Sequence, residues 1–355
     1  MLKNIHKGVE KSMNNISQIS VFDYRKIEIL GDLERIKLFF ENLDDKELCE
    51  SLENEIKNIN EKLIKYMYEN LEDFGKDCAI DGKFLDTYAN HYSKEKCVDN
   101  RAEHDATNSC KTYYMKDGTT KKEWHYGFRA HIICDAKYGL PIKYKLTPAN
   151  NSEQTELDNL LKELASNDDE RYKFEKMENL MGDAGYDNGR RNKKLKEEYN
   201  INPVFDIKHI WDKDEKYKEI DDMPIAYNED GEVFYIVDID NYEKMKYMGY
   251  DKANNALRYI RQSTGRKIYR IPLSTDYRIF VPIARDSKKF KNKYKMRTEV
   301  ERLNGRLDRD YMFNDHFIRG KEKMELMLDL SFLVMLTMAK GHIINKQGNI
   351  RSLVA

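Results

Sequence analysis

The stretch that most narrows the possible folds is an alternating pattern that turns back on itself. Phe128, Ala130, Ile132 and Cys134 alternate with Arg129, His131 and Ile133; a turn follows at 135–139; Ile142, Tyr144 and Leu146 then alternate again. A period of two marks a strand, and two such runs across a short turn make a hairpin. Strands are therefore expected over 126–135 and 140–147. Around them runs an α/β rhythm. Cys78, Ala79 and Ile80 lead to Asp81, Asn151 caps a helix over about 152–165, and the run 177–182 leads to Asp183. A helix over about 188–199 and a strand at 203–207 follow, and a polar, singly charged loop is expected at about 90–122.

The two ends read as helical. Residues 1–20 are polar and rich in Asn and Ser, a loose end. Two helices are expected over 23–75, the second opening at Asp44 with Glu47 three residues on, like a capping box. Its stripe of Leu48, Leu52, Ile56, Ile59, Leu63 and Tyr66 fits either a dimer seam or packing on its own chain. A long helix over about 286–309 and a buried helix over about 321–345 close the chain. Between about 208 and 283 the rhythm breaks. Residues 234–237, 267–271 and 277–281 are β-rich and separated by charged turns, which reads as an inserted β subdomain. The domain reading is a helical N-terminal segment (1–75), a catalytic α/β domain (76–345) carrying the insert, and a tail (346–355).

Composition excludes several classes. With 355 residues, the chain has room for two domains or for one with a large insertion. The 24 Tyr and 14 Phe supply a core despite 35% charged residues, and 62 Lys and Arg against 63 Asp and Glu give no overall pull toward nucleic acid or membrane. The five cysteines (Cys49, Cys78, Cys97, Cys110, Cys134) are odd in number and include no C-x-x-C pair, against a disulfide scaffold or a four-Cys zinc ribbon. Residues 1–20 lack the apolar core of a secretory signal, and the uncharged run between Asp329 and Lys340 is short of the roughly 20 residues a spanning helix needs. A cytoplasmic protein without a membrane partner is expected.

Three acids carry the chemical reading. Asp81 and Asp183 each end a strand-like run, Asp183 between Gly182 and Gly185, and Glu301 lies on the long helix. Phosphodiester chemistry at two Mg²⁺ or Mn²⁺ ions needs several carboxylates on one point, and neighbouring strand ends plus a helix can supply them. The two glycines would let a nucleic-acid backbone approach. In a continuous helix, Tyr294, Arg297 and Glu301 fall within roughly 60° of one another, with Glu299 on the other side. Residues 285–309 hold ten Lys or Arg against four Asp or Glu, a net of +6 suited to tracking phosphates. Residues 1–75 hold eleven against sixteen, a net of −5 that argues against a separate DNA-binding module there. Each acid alone also fits an ordinary turn or cap role, and a basic helix also fits a solvated face.

The joint pattern resembles insertion-sequence transposases of the DDE type, which have an RNase H-like catalytic domain. The stretches that carry the resemblance are AIDGKFLDTYAN (79–90), WHYGFRAHIICDAKYGLPIKYKLTPANNSEQTELDNLL (124–161), MGDAGYD (181–187) and YKMRTEVERLNGRLDRD (294–310). The branch it resembles carries Tyr, two residues, Arg, three residues, Glu, six residues, Lys. Tyr294, Arg297 and Glu301 match, and Asp308 stands at the Lys position between Arg306 and Arg309. The resemblance implies an RNase H-like mixed sheet flanked by helices, with a β insert before the last catalytic helix. It implies a metal-binding triad of Asp81, Asp183 and Glu301 holding two Mg²⁺ or Mn²⁺ ions. Tyr294 and Arg297 would hold phosphates, supported by Lys291, Lys293, Arg302, Arg306 and Arg309. The implied partners are double-stranded DNA, at element ends and target, and a second copy in a synaptic homodimer. The implied activity is cleavage to a 3′-OH followed by strand transfer. The short acidic N-terminus and Asp308 leave open an inactive DNA-binding remnant, and an RNase H-like nuclease without strand transfer is the further alternative.

Other residues read more blandly. Cys97, His104 and Cys110, with His91 or His125, fit no zinc spacing. Trp124 and Tyr126 suit base stacking but fit core packing better, His131 reads as a strand-face histidine, and Met324, Met327, Met335 and Met338 read as core filler.

Overall fold

The computed structural model describes residues 46–89, 103–115, 119–212, 214–239, 241–346 and 350–351. The expected loose end and the helix before residue 44 lie outside the described residues. The chain divides into two compact units of interleaved segments. The first takes residues to Gly75, 81–160 and from Glu299 on; the second takes 76–80 and 161–298.

In the first unit, the reversing alternation forms a hairpin as expected. Strand β3 (Thr120–Asp135) pairs antiparallel with β4 (Pro141–Pro148), from Phe128↔Pro148 to Cys134↔Pro141. The turn between them is built by Asp135, whose Oδ1 accepts from the N–H groups of Lys137 and Tyr138, with Gly139 at φ +63°. Helix α1 (Lys46–Asn70) packs on the terminal helix α7 (Lys321–Ile344). Its stripe residues Ile56, Ile59 and Leu63 are buried there, so this face serves the chain's own core. Met324, Met327, Met335 and Met338 are buried, as filler should be. Helix α7 is long and apolar enough to cross a membrane, yet 89% of its apolar window is buried within the protein. Its even burial comes from wedging between α1 and β4, and each fully buried Leu or Met contributes about 1.5–3 kcal/mol.

In the second unit, residues 77–79 of β1 (Asp77–Asp86) pair in parallel with β5 (Asn179–Gly182), and β5 pairs in parallel with β6 (Asn202–Phe205). The insert is a six-stranded antiparallel meander: β7 (Lys218–Glu219), β8 (Ile225–Tyr227), β9 (Val233–Asp238), β10 (Asn241–Asp251), β11 (Ala256–Arg261) and β12 (Ile268–Pro272). It has its own core of Ile225, Val233, Met245, Leu257, Tyr259 and Ile271. With β2 at Thr107–Tyr114, and because β1 runs through both units, the hydrogen-bonded order is β2-β3-β1-β5-β6 with β4 on β3. This is the expected RNase H-like mixed sheet with flanking helices.

Four local expectations need correction. The loop at about 90–122 contains strand β2 (Thr107–Tyr114), paired with residues 120–127 of β3. Its polar sequence hides it because both faces of that hairpin are exposed. Strand β1 does not end at Asp81: pairing with β5 stops at Ala79↔Met181, but the strand continues to Asp86 beside the long β3. Residues 277–281 are no strand; Ile279 and Phe280 instead plug the insert's core. The long helix is two, α5 (Lys288–Lys295) and α6 (Thr298–Tyr311), which follow α2 (Glu153–Ser166), α3 (Arg171–Lys176) and α4 (Gly189–Glu197) in the chain. The N–H groups of Met296 and Arg297 close three residues back, and Thr298 Oγ1 bonds the Lys295 carbonyl at 3.0 Å. That tightened turn breaks the helical phase linking Tyr294 and Arg297 to Glu301.

Candidate active site

In the first unit, Asp81 is gripped from α6. Asn304 Nδ2 donates to Asp81 Oδ2 at 2.9 Å, and Lys83 Nζ meets Asp308 Oδ1 at 2.6 Å. Four residues of helix rise about 6 Å and two residues of strand about 6.6 Å. The two contacts therefore match step for step and hold α6 lengthwise along β1. Glu301 precedes Asn304 by one turn on that helix. Glu299 is buried instead and engaged by Arg302 and by Arg351 at 2.8 Å. A further carboxylate stands beside Asp81: Glu153 presses on Gly82, where an added Cβ would lie 2.5 Å from its Oε1, and pairs with Arg129 at 3.2 Å.

In the second unit, Asp183 follows β5. Its Oδ1 accepts from Gly185 N–H at 2.8 Å, capping a short turn at Ala184–Tyr186. Asp206 follows β6, and the residues before the two acids, Gly182 and Phe205, are register partners. Asp206 Oδ2 accepts from Tyr294 at 3.3 Å, and the Arg297 guanidinium lies 5.5 Å from the Tyr294 ring centre. Partial burial raises the Tyr294 pKa, so it is a protonated donor at neutral pH. The glycines serve packing. A Cβ on Gly182 would meet the buried Tyr186 ring at 2.8 Å, and one on Gly185 would meet Asp183 Oδ1 at 2.9 Å. Below them, Arg285 donates to the Phe205 carbonyl and to Asp187 Oδ1 at 2.7 Å, and Arg278 reaches Asp187 Oδ2 at 3.3 Å. Burial lowers the Arg285 pKa, and Asp187 opposes that shift. The network ties the ends of β5 and β6 together.

The cations expected to meet DNA differ in availability. Lys291 is exposed, along with Lys288, Lys289 and Lys295. Lys293 is bound to Asp77, Arg309 to Asp310 and Arg302 to Glu299. Arg306 is half-buried and donates to the Gly139 carbonyl, and desolvation lowers its pKa. A second basic region escaped the sequence reading. Residues 241–272 hold eight Lys or Arg against two acids, a net of +6, while 208–240 hold four against eleven, a net of −7. The insert is thus acidic through β7–β9 and basic through β10–β12, with Lys244, Lys246 and Arg270 exposed, Lys244 paired with Glu232 and Arg270 with Asp251 at 3.0 Å. Counting charge by segment would have found it. The contacts of Asn304, Lys83 and Asp206 left no such signal, because they depend on which strand a helix lies along.

Among the described residues, no three of His, Cys, Asp and Glu form a ready metal cage. The candidate zinc ligands His91 and Cys97 lie outside the described residues, and His125 Nδ1 sits 3.1 Å from Asp86. The all-oxygen character of Asp81, Asp183 and Glu301 suits Mg²⁺ or Mn²⁺. A family model for the transposase DDE domain matches residues 74–337. The chain belongs to the DDE transposase family. The match begins just before β1, ends within α7 and contains Asp81, Asp183 and Glu301. No match is found among curated proteins. Transposases of this family act on DNA and generally use divalent metal ions.

Proposed function

We propose that this transposase cuts DNA at the ends of an insertion sequence and transfers the freed 3′-OH into target DNA, working in the cytoplasm as a synaptic homodimer. The observation that carries the reading is the Asn304–Asp81 hydrogen bond, which seats the Glu301 helix along the strand of the first acid. Asp81, Asp183 and Glu301 would hold two Mg²⁺ or Mn²⁺ ions. When bound, such ions activate the attacking oxygen and stabilise the leaving one. The chain's own residues do the positioning. Tyr294 donates its hydroxyl proton, Arg297 offers a fork to a phosphate, and the exposed lysines of α5 and cations of β10–β12 track the backbone. Lys293, Arg302 and Arg309 would join them by exchanging an acidic partner for phosphate, whereas Arg306 would act by holding the turn at Gly139.

The test is incubation of the purified protein and Mn²⁺ with labelled DNA carrying both flanks of its own gene. Nicks at one boundary, absent in Asp183→Ala, are the expected result; full cutting by that variant would sink the assignment. Asp308 in place of the signature lysine favours a second reading, a remnant that binds DNA without cutting. Folded wild-type protein that binds end DNA and never nicks it would establish that reading. Nicks without products joined to a target would leave a nuclease.

A further inference from the structure

Trp124 belongs to no core. It is 69% exposed on the β2–β3 hairpin. From Phe128 on, β3 is clamped by β4 and largely buried, whereas residues 120–124 are all exposed. That outer half pairs with β2, over Thr107↔Gly127 to Tyr114↔Thr120. Trp124 lies opposite Cys110, and Lys122, on the same face, lies opposite Thr112. Both partners are small, so no tall neighbour across the strand covers the indole. On the other face are Lys121 and Lys111, the latter 5.3 Å from the Tyr113 ring centre. Residues 107–126 carry four Lys against two acids. At the base of the hairpin, Thr87 N–H bonds the Tyr126 carbonyl, and the next residue, Tyr88, is 50% exposed. Phe317, 73% exposed, packs edge-on to Tyr88 at 5.0 Å, with Arg319 5.2 Å from the same ring.

An exposed aromatic among lysines has a specific use. Protein interfaces are depleted in Lys at their centres, which disfavours a protein partner. Unpaired bases stack on aromatic side chains while cations take the adjoining phosphates. We propose that the β2–β3 hairpin is a base-stacking finger, in which Trp124 takes the face of an unpaired DNA base and Lys122, on the same face, holds an adjoining phosphate. This rests on the DNA reading above and adds a distorted or unpaired site as the preferred substrate. DNA opened at a cut end presents such bases.

The test is fluorescence and binding with the full chain. Trp124 and Trp211 are the two tryptophans, and Trp211 packs with the insert's core, so Trp124→Phe isolates the finger's signal. The probes are a single-stranded 20-mer, a duplex with a one-nucleotide gap and a blunt duplex. The single strand and the gapped duplex are expected to quench wild type and not Trp124→Phe. Trp124→Ala should weaken gapped-duplex binding about tenfold and blunt-duplex binding less than about twofold. Lys122→Ala should lower the salt slope by about one. Unchanged gapped-duplex binding by Trp124→Ala overturns the finger while leaving the Asp183-dependent cutting test intact. A Trp124 signal that follows protein concentration and ignores DNA also overturns it, and marks a face between copies. Failure of wild type to bind any of the three DNAs overturns both proposals.

Discussion

Lys83 on β1 and Asp308 on α6 form an ion pair at 2.6 Å, with the lysine largely covered and the carboxylate about a third exposed. The helix position that carries a lysine in the resembled signature is thus an acid here, and the cation comes from the strand alongside. Asp308→Lys alone places two ammonium groups together and should lower stability by about 1 kcal/mol, given the partial exposure. Adding Lys83→Glu should restore most of the loss. Urea midpoints for the two singles and the double decide it, and simple additivity would exclude direct pairing.

Asn304 fixes the orientation of Asp81 through one hydrogen bond. Asn304→Ala should cut metal-dependent nicking by about 10–100-fold, as loss of a residue orienting a metal ligand does, with little change in melting temperature. The loss should be partly recovered at high Mn²⁺. Nicking unchanged at limiting Mn²⁺ would show that Asp81 needs no such support.

Glu301 and Arg297 should fail differently. Glu301→Ala is expected to abolish metal-dependent cutting while DNA binding persists. Arg297→Ala is expected to weaken end binding and reduce the salt slope by about one. Gel-shift titrations at several salt concentrations separate the two, and matching losses of metal affinity would contradict the assigned roles.

The Asp187–Arg285 pair is buried on both sides. Arg285→Ala takes the shortest ion pair from the buried Asp187, leaving it the longer Arg278 contact and hydrogen bonds from Asn192 and the Lys208 N–H, and should cost about 3 kcal/mol. Arg285→Met with Asp187→Leu should cost clearly less, because no charge is left buried. Guanidinium unfolding of both variants measures the difference, and equal losses would show that the arginine acts through packing.

Two buried groups should tilt stability in opposite directions over one pH range. Burial raises Asp329 to about 7 against the opposing pull of the Tyr144 hydrogen bond, so the folded state holds its proton longer than the unfolded state. Its contribution is full below about pH 4 and is lost as pH rises through 7. His131, buried against Thr147, is lowered to about 4. Its contribution is present above about pH 6.5 and is lost as pH falls toward 4. Asp329→Asn should therefore make stability rise more steeply with pH between 4 and 7, and His131→Gln should make it rise less steeply. Melting temperatures across that range test both signs.

The sequence by itself determined the β3–β4 hairpin, the buried terminal helix, the β character of the insert and the acids at 81, 183 and 301 as candidates. These follow from period, turn chemistry and spacing, which are local properties of the chain. Tertiary structure decided the rest. Strand β2 has no apolar face to announce it and exists through pairing with β3. Asp81 sits mid-strand because β1 has a long neighbour on one edge and a short one on the other. The break at 296–297 falls among good helix formers and is made by carbonyl contacts. Trp124 looked like core material, and exposure is a property of what lies across the strand: Cys110 is too small to cover it. Lys83, Asn304 and Asp206 acquired roles only when a helix was laid along one strand and a tyrosine over another, and side-chain partners at that separation leave no periodic trace in the chain.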